Sequence, residues 1–101
     1  MINLEQLQKD ILNNKISKGF NTTDINLEFA LTYEELGEAF RAYRKKLPDL
    51  GEELADVAIY LLSLSEILHI NLGEEILKKV EKNKKRAYKK IDGVMTRIKE
   101  A

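Results

Sequence analysis

The stretch Glu34-Glu35-Leu36-Gly37-Glu38, followed after Lys45-Lys46-Leu47-Pro48-Asp49 by Glu53-Leu54-Ala55-Asp56, decides how the chain folds. A helix turns about 100° per residue, so residues three apart share a face and lie about 4.5 Å apart along the axis. Glu35 with Glu38, and Glu53 with Asp56, are such pairs. The Lys45–Asp49 segment reads as a helix–helix turn, so the two flanking helices run antiparallel. In a tight hairpin, Glu35 then stands level with Asp56 and Glu38 with Glu53. Four carboxylates at one level predict a metal site.

Working outward, the second helix is expected from about Asp24 to Lys46. Phe29, Tyr33, Leu36, Phe40, Tyr43 and Leu47 cluster on one side of its wheel and predict a core stripe. Glu34, Glu35 and Glu38 occupy the opposite side together with Leu27, Leu31 and Ala42. Apolar residues on both faces call for neighbours on both. Pro48 suits the first turn of a third helix, Leu50 to about His69. That helix is apolar almost all round (Leu54, Val57, Ala58, Ile59, Leu61, Leu62, Leu64, Leu68), which predicts a central position. Its less apolar side carries Glu53, Asp56, Tyr60 and Ser63. Buried carboxylates without a partner cost several kcal/mol each, roughly, so a positive group must meet them.

On the N-terminal side, Leu4, Leu7, Ile11 and Leu12 repeat at helical spacing and predict a first helix from Asn3 to about Lys18. Gly19 stops it, and Phe20-Asn21-Thr22-Thr23 forms a loop ending in capping residues. On the C-terminal side, Asn71-x-x-Glu74 resembles a capping box and opens a fourth helix, Leu72 to about Ile91, with Ile76, Val80, Ala87 and Ile91 as its stripe. Asp92-Gly93 breaks it, leaving Val94–Ala101 as a short last helix or a frayed tail. The expected fold is all-α: one domain over residues 1–101, a four-helix bundle-like subunit built on the acidic hairpin. The two-faced second helix and the surrounded third predict a homo-oligomer, a dimer or a tetramer.

Composition narrows the chemistry. The 101 residues contain no Cys and one His, so thiolate and nitrogen-rich zinc sites are excluded. Lys+Arg and Asp+Glu balance at 17 each, so no global field draws the chain to nucleic acid or an anionic membrane. The apolar run Val57–Leu64 is too short to span a bilayer. Met1-Ile2-Asn3-Leu4-Glu5 has neither a basic nor an apolar signal region, which makes the cytoplasm the expected location. An all-oxygen ligand set selects a hard cation, Mg²⁺ or Mn²⁺, and such ions commonly meet a substrate phosphate. Glu66-x-x-His69 spells the E-x-x-H of di-iron bundles. It lies about 20 Å along the helix from Glu53 and is turned roughly 220° away, and no second copy exists, so His69 is read as a helix-end residue.

With these motifs in place, the chain resembles the MazG-like all-alpha nucleoside triphosphate pyrophosphohydrolases, whose signature is E-E-x-x-E, a gap, then E-x-x-D. Here the two parts are Glu34-Glu35-x-x-Glu38 and Glu53-x-x-Asp56, with fourteen residues between them. The likeness extends over about residues 18–90 and includes Lys79-x-x-x-Asn83-x-x-Arg86. It implies Mg²⁺-dependent cleavage of a nucleoside triphosphate between the α and β phosphates, in a nucleotide-pool or house-cleaning role. It further implies Glu35, Glu38, Glu53 and Asp56 as metal ligands, with Glu34 a further ligand or the group that orients or deprotonates the attacking water.

Lys79, Asn83 and Arg86 border the apolar stripe of the fourth helix and are expected to bind phosphate oxygens. Lys78, Lys82, Lys85 and Lys89 form an outward, solvated stripe. Phe20 is read as a staple at the start of the second helix in preference to stacking on a base, a role the resemblance allows. Two rivals stand beside this reading. A phosphoribosyl-ATP pyrophosphohydrolase-like enzyme needs a second set of phosphate-binding cations, which is missing outside the fourth helix. A catalytically silent helical interaction module would have a broken carboxylate quartet, and this one is whole.

Overall fold

The computed structural model describes residues 1–98. Four helices, α1 (Leu4–Ser17), α2 (Ile25–Arg44), α3 (Leu50–Ile67) and α4 (Leu72–Lys85), are followed by two strands, β1 (Tyr88–Ile91) and β2 (Val94–Arg97). Each start and stop has a local cause. Asn3, Asp24 and Asn71 are N-caps whose side chains accept the backbone N–H of Gln6, Leu27 and Glu74. Three helices end in the same closing motif. Its left-handed residue is Gly19 after α1 (φ 76°), Lys46 after α2 (φ 53°) and His69 after α3 (φ 59°). The next N–H donates back to a carbonyl of the last turn: Phe20 to Lys15, Leu47 to Ala42, Ile70 to Ser65. His69 is therefore a helix-end residue, as expected. Pro48 lies just outside α3, whose N-cap is Asp49.

The C-terminal region differs from the all-α expectation. The fourth helix ends at Lys85, and Arg86 turns to extended backbone (ψ 135°). Tyr88–Ile91 and Val94–Arg97 pair antiparallel, with Ile91 opposite Val94 and Tyr88 opposite Arg97. Asp92 (φ 51°) and Gly93 (φ 80°) are both left-handed, as a two-residue type I′ turn requires, and its twist matches that of the strands. Asp-Gly between Tyr-x-x-Ile and Val-Met-Thr is thus a hairpin signal, not only a helix breaker. Val94–Arg97 is accordingly strand, neither helix nor frayed tail, while residues 99–101 lie outside the described part.

Packing is centred on α3, which takes α2 on one side and α1 on another, while α4 lies on α1. The tie between α1 and the α3–α4 turn is Gln8, 2% exposed. Its Nε2 donates to Glu66 Oε1 (2.9 Å) and to the Ile70 carbonyl (2.7 Å), and its Oε1 accepts the Leu72 N–H (3.2 Å). One amide therefore satisfies backbone groups at the end of α3 and the start of α4.

The aromatic stripe of α2 is not the core of the subunit. Phe29, Tyr33, Leu36, Phe40 and Tyr43 are exposed, up to 76% for Tyr33, whereas the residues that α2 buries are Glu28, Ala39 and Ala42. On α3, Leu54 and Leu61 are likewise open. Periodicity marks a face that needs cover without saying whose atoms cover it, and the small residues of the other face let α3 approach closely. The radius of gyration is 17.2 Å. A compact chain of this length has about 13 Å.

Candidate active site

The α2–α3 hairpin brings together three of the four expected carboxylates. Glu35 from α2 and Glu53 and Asp56 from α3 each place a carboxylate oxygen within 4.8 Å of the others. Glu38 lies outside this trio, on the exposed surface of α2, but its charge reaches both Glu35 and Glu53. Glu34, also exposed, acts on Glu35 and on Tyr60.

Electrostatics follow from this crowding. Partial burial, then Asp56, Glu34 and Glu38, push the Glu35 carboxyl above its ordinary range. Partial burial, then Asp49, Asp56, Glu35 and Glu38, do the same to Glu53. Carboxylates so close raise one another because ionising each makes the next harder. Asp49 Oδ1 is buried with no hydrogen-bond partner among the described residues. Oxygen donors from two helices, converging and mutually repelling, fit a hard divalent cation such as Mg²⁺ or Mn²⁺.

Tyr60, one helical turn beyond Asp56, links this cluster to a second set of polar groups. Burial first, then Glu35, Glu28, Asp56 and Glu34, raise its phenol. Lys15 Nζ sits 4.5 Å from the Tyr60 ring centroid and pairs with Glu28, which is 2% exposed. Asn21 Nδ2 donates to the other Glu28 oxygen (3.3 Å). Lys15, Asn21 and Glu28 escaped the sequence reading. Glu28 lies seven residues before Glu35, hence on the same face of α2, and that spacing is the signal that could have found it.

Beside Tyr60 opens a cleft of about 370 Å³ between α1 and α3. Ile11, Phe20, Ile59 and Tyr60 form its walls, and Asp10, Asn14 and Lys15 its polar edge. Phe20 is 61% exposed and lines this cleft.

The basic stripe is placed differently from the expectation. Lys79 and Asn83 lie on α4, but Arg86 is the cap beyond it, not a third residue of one helical face. Lys79 is surrounded by cations: Arg86 first, then partial burial, Lys82 and Arg97 lower its pKa. Arg97, from β2, joins this cluster only because of the hairpin. Arg86 Nε is buried with no partner among the described residues. Within the chain α4 packs on α1 and not comparably on α2 or α3, so the cations and the carboxylates are not brought together.

A helical hairpin that converges three carboxylates offers the oxygen donors that a hard cation takes. The model of the MazG nucleotide pyrophosphohydrolase domain matches residues 25–90, and the chain belongs to this family, hydrolases acting on phosphoric anhydrides. It is also similar to a solved structure described as the cyanophage S-2L MazG-like pyrophosphohydrolase bound to dGDP and three catalytic Mn²⁺ ions per active site. That match has a TM-score of 0.74 and 26% identity, covering 98% of this chain and 100% of the other. No curated protein matches. No helix among the described residues is long and apolar enough to cross a membrane.

Proposed function

We propose that this chain hydrolyses a (deoxy)nucleoside triphosphate between the α and β phosphates, releasing the monophosphate and pyrophosphate, in a nucleotide-pool or house-cleaning role. The observation that carries the reading is the convergence of Glu35, Glu53 and Asp56 within 4.8 Å. These three, with Glu38 beside them, would hold Mg²⁺, with Mn²⁺ able to replace it. The Mn²⁺ and dGDP described for the cyanophage relative support that choice. A cation so held neutralises polyphosphate charge and acidifies a bound water.

The remaining work belongs to side chains. A water oxygen bonds to the α phosphorus, the bond from that phosphorus to the bridging oxygen breaks, and pyrophosphate leaves. Glu34, at the edge of the cluster, orients the water and accepts its proton. Lys79, Asn83 and Arg86 neutralise the phosphate oxygens as negative charge builds on the leaving group. Incubation with a panel of NTPs and dNTPs plus Mg²⁺ tests this: monophosphate and pyrophosphate are expected. Orthophosphate and diphosphate would refute α–β cleavage, and no turnover of any nucleotide by folded protein would refute the enzyme reading.

The working unit is a homo-oligomer, a dimer or a dimer of dimers. Two apolar grooves between α2 and α3 support this, one lined by Phe29, Tyr33, Leu36, Val57 and Leu61, the other by Phe40, Tyr43, Leu50 and Leu54. A second copy laid on them covers the exposed stripe. Its α4 brings the cations to the first copy's carboxylates. Phe40→Glu is expected to give monomers by light scattering, with loss of hydrolysis. Mixing inactive Asp56→Asn and Lys79→Ala chains should restore about a quarter of wild-type activity, because half the dimers are mixed and one of their two sites is intact. No recovery after proven subunit exchange would refute the shared site.

A further inference from the structure

The cleft between α1 and α3 shares no lining residue with the carboxylate trio or with the two apolar grooves between α2 and α3. We propose that it is the base pocket, and that Asp10 and Asn14 make it selective for guanine. The inference rests on the pyrophosphohydrolase reading only in so far as the ligand is a nucleotide.

Position comes first. Tyr60 belongs both to the wall of the cleft and, one turn after Asp56, to the edge of the carboxylate cluster, so a nucleotide with its phosphates at the cluster can direct its base here. The volume, about 370 Å³, falls in the range of small-ligand pockets, about 300–1,000 Å³. Ile11, Ile59, Phe20 and Tyr60 supply the apolar and aromatic surfaces on which a flat heterocycle stacks. Charge excludes the other end of the nucleotide. Lys15 is already engaged by Glu28 and the Tyr60 ring, and Asp10 is an anion, so the cleft repels phosphate.

Selectivity follows from the polar edge. Asp10 and Asn14 are one helical turn apart on α1, and Gln6 Nε2 donates to Asp10 Oδ1 at 2.9 Å, which steadies the carboxylate. An ionised carboxylate only accepts hydrogen bonds. Guanine presents two adjacent donors, N1–H and the N2 amino group, which match its two oxygens. It also presents O6, which can accept from the Asn14 amide. Adenine and cytosine each place a ring acceptor beside their amino group, and thymine flanks its one N–H with carbonyl oxygens. Each of these sets a lone pair against the carboxylate. The guanine nucleotide bound by the cyanophage relative agrees in kind.

The test compares kcat/KM for dGTP, dATP, dCTP and dTTP in wild type, Asp10→Asn and Asn14→Ala. A fixed bidentate contact contributes about 1–3 kcal/mol of discrimination, so wild type should favour dGTP by roughly tenfold or more. Asp10→Asn offers one donor and one acceptor, which suits adenine, so the dGTP/dATP ratio should fall at least about tenfold. Near-equal rates on all four substrates in wild type, or a guanine preference unchanged in both variants, would overturn the assignment. Calorimetry with dGMP, dAMP and dCMP in the absence of metal separates this idea from the enzyme reading. Tighter dGMP binding that disappears in Asp10→Asn upholds the pocket even if no triphosphate is cleaved. Equal binding of the three monophosphates refutes it.

Discussion

Asp56→Asn should lower hydrolysis by roughly 10³-fold while leaving the helical content intact. Asp56 shares an oxygen cluster with Glu35 and Glu53, and an amide in its place removes one negative charge and one anionic donor from the proposed cation site. A second readout separates this from general damage. Glu35 and Glu53 have carboxyls raised by partial burial and by their neighbours, Asp56 among them. Groups whose pKa is raised on folding bind more protons in the folded state than in the unfolded one. Metal-free stability should therefore fall as pH rises from the ordinary carboxylate range through the raised values, and recover on acidification. Replacing Asp56 relieves part of that repulsion. The variant should melt above wild type at pH 7 without metal, yet lose the stabilisation that Mg²⁺ gives wild type. A variant that melts lower and still responds to Mg²⁺ would show that Asp56 does not belong to the cation's site.

Glu28→Ala should be the most destabilising single change away from the carboxylate trio, by about 3–5 kcal/mol. Glu28 is 2% exposed and holds Lys15, itself 12% exposed, while its other oxygen accepts from Asn21. Its removal strands a cation between α1, α2 and the Tyr60 ring. For a domain of this size the melting temperature should drop by well over 10 °C, readable by calorimetry. Lys15→Met with Glu28→Leu supplies the control. Removing both charges and filling the space with apolar groups is often close to neutral, so the double variant should recover most of the loss. If it melts as low as the single variant, the cost comes from packing and not from the stranded charge.

What could be read from the residues differed by kind of interaction. Glu53 and Asp56 stay together because i, i+3 geometry on a helix is local, and a five-residue turn brings Glu35 to them, while Glu38 lies outside the trio. Helix starts and stops were legible for the same reason, at Asn71 and Gly19 above all. The aromatic stripe of α2 was legible as an apolar face, but its exposure in the single chain was not, since Phe40 and Leu36 have the same pattern whichever surface covers them. The extended course after Lys85 escaped because Lys-rich sequence with Ala87 and Ile91 continues the helical period, and only Asp92-Gly93 argues for a hairpin. Gln8, Lys15 and Glu28 escaped because each is polar and each is buried by a partner far away in sequence. Pairing of that sort leaves no periodic trace, apart from the seven-residue spacing that puts Glu28 on the face of Glu35.

The exposed stripe of α2 has a consequence for how this protein responds to dilution. Its fully buried hydrophobic residues among those described are Ala39, Ala42, Leu62 and Leu64, two of them alanines, which is little to hold a chain of this length. In the proposed homo-oligomer much of the free energy of folding would come from association, and association obeys mass action. The unfolding midpoint should climb with protein concentration, and specific activity should decline below a threshold concentration instead of staying constant. Synthesis rate, which sets that concentration in the cell, would thereby determine how much of the chain is folded as well as how much is present.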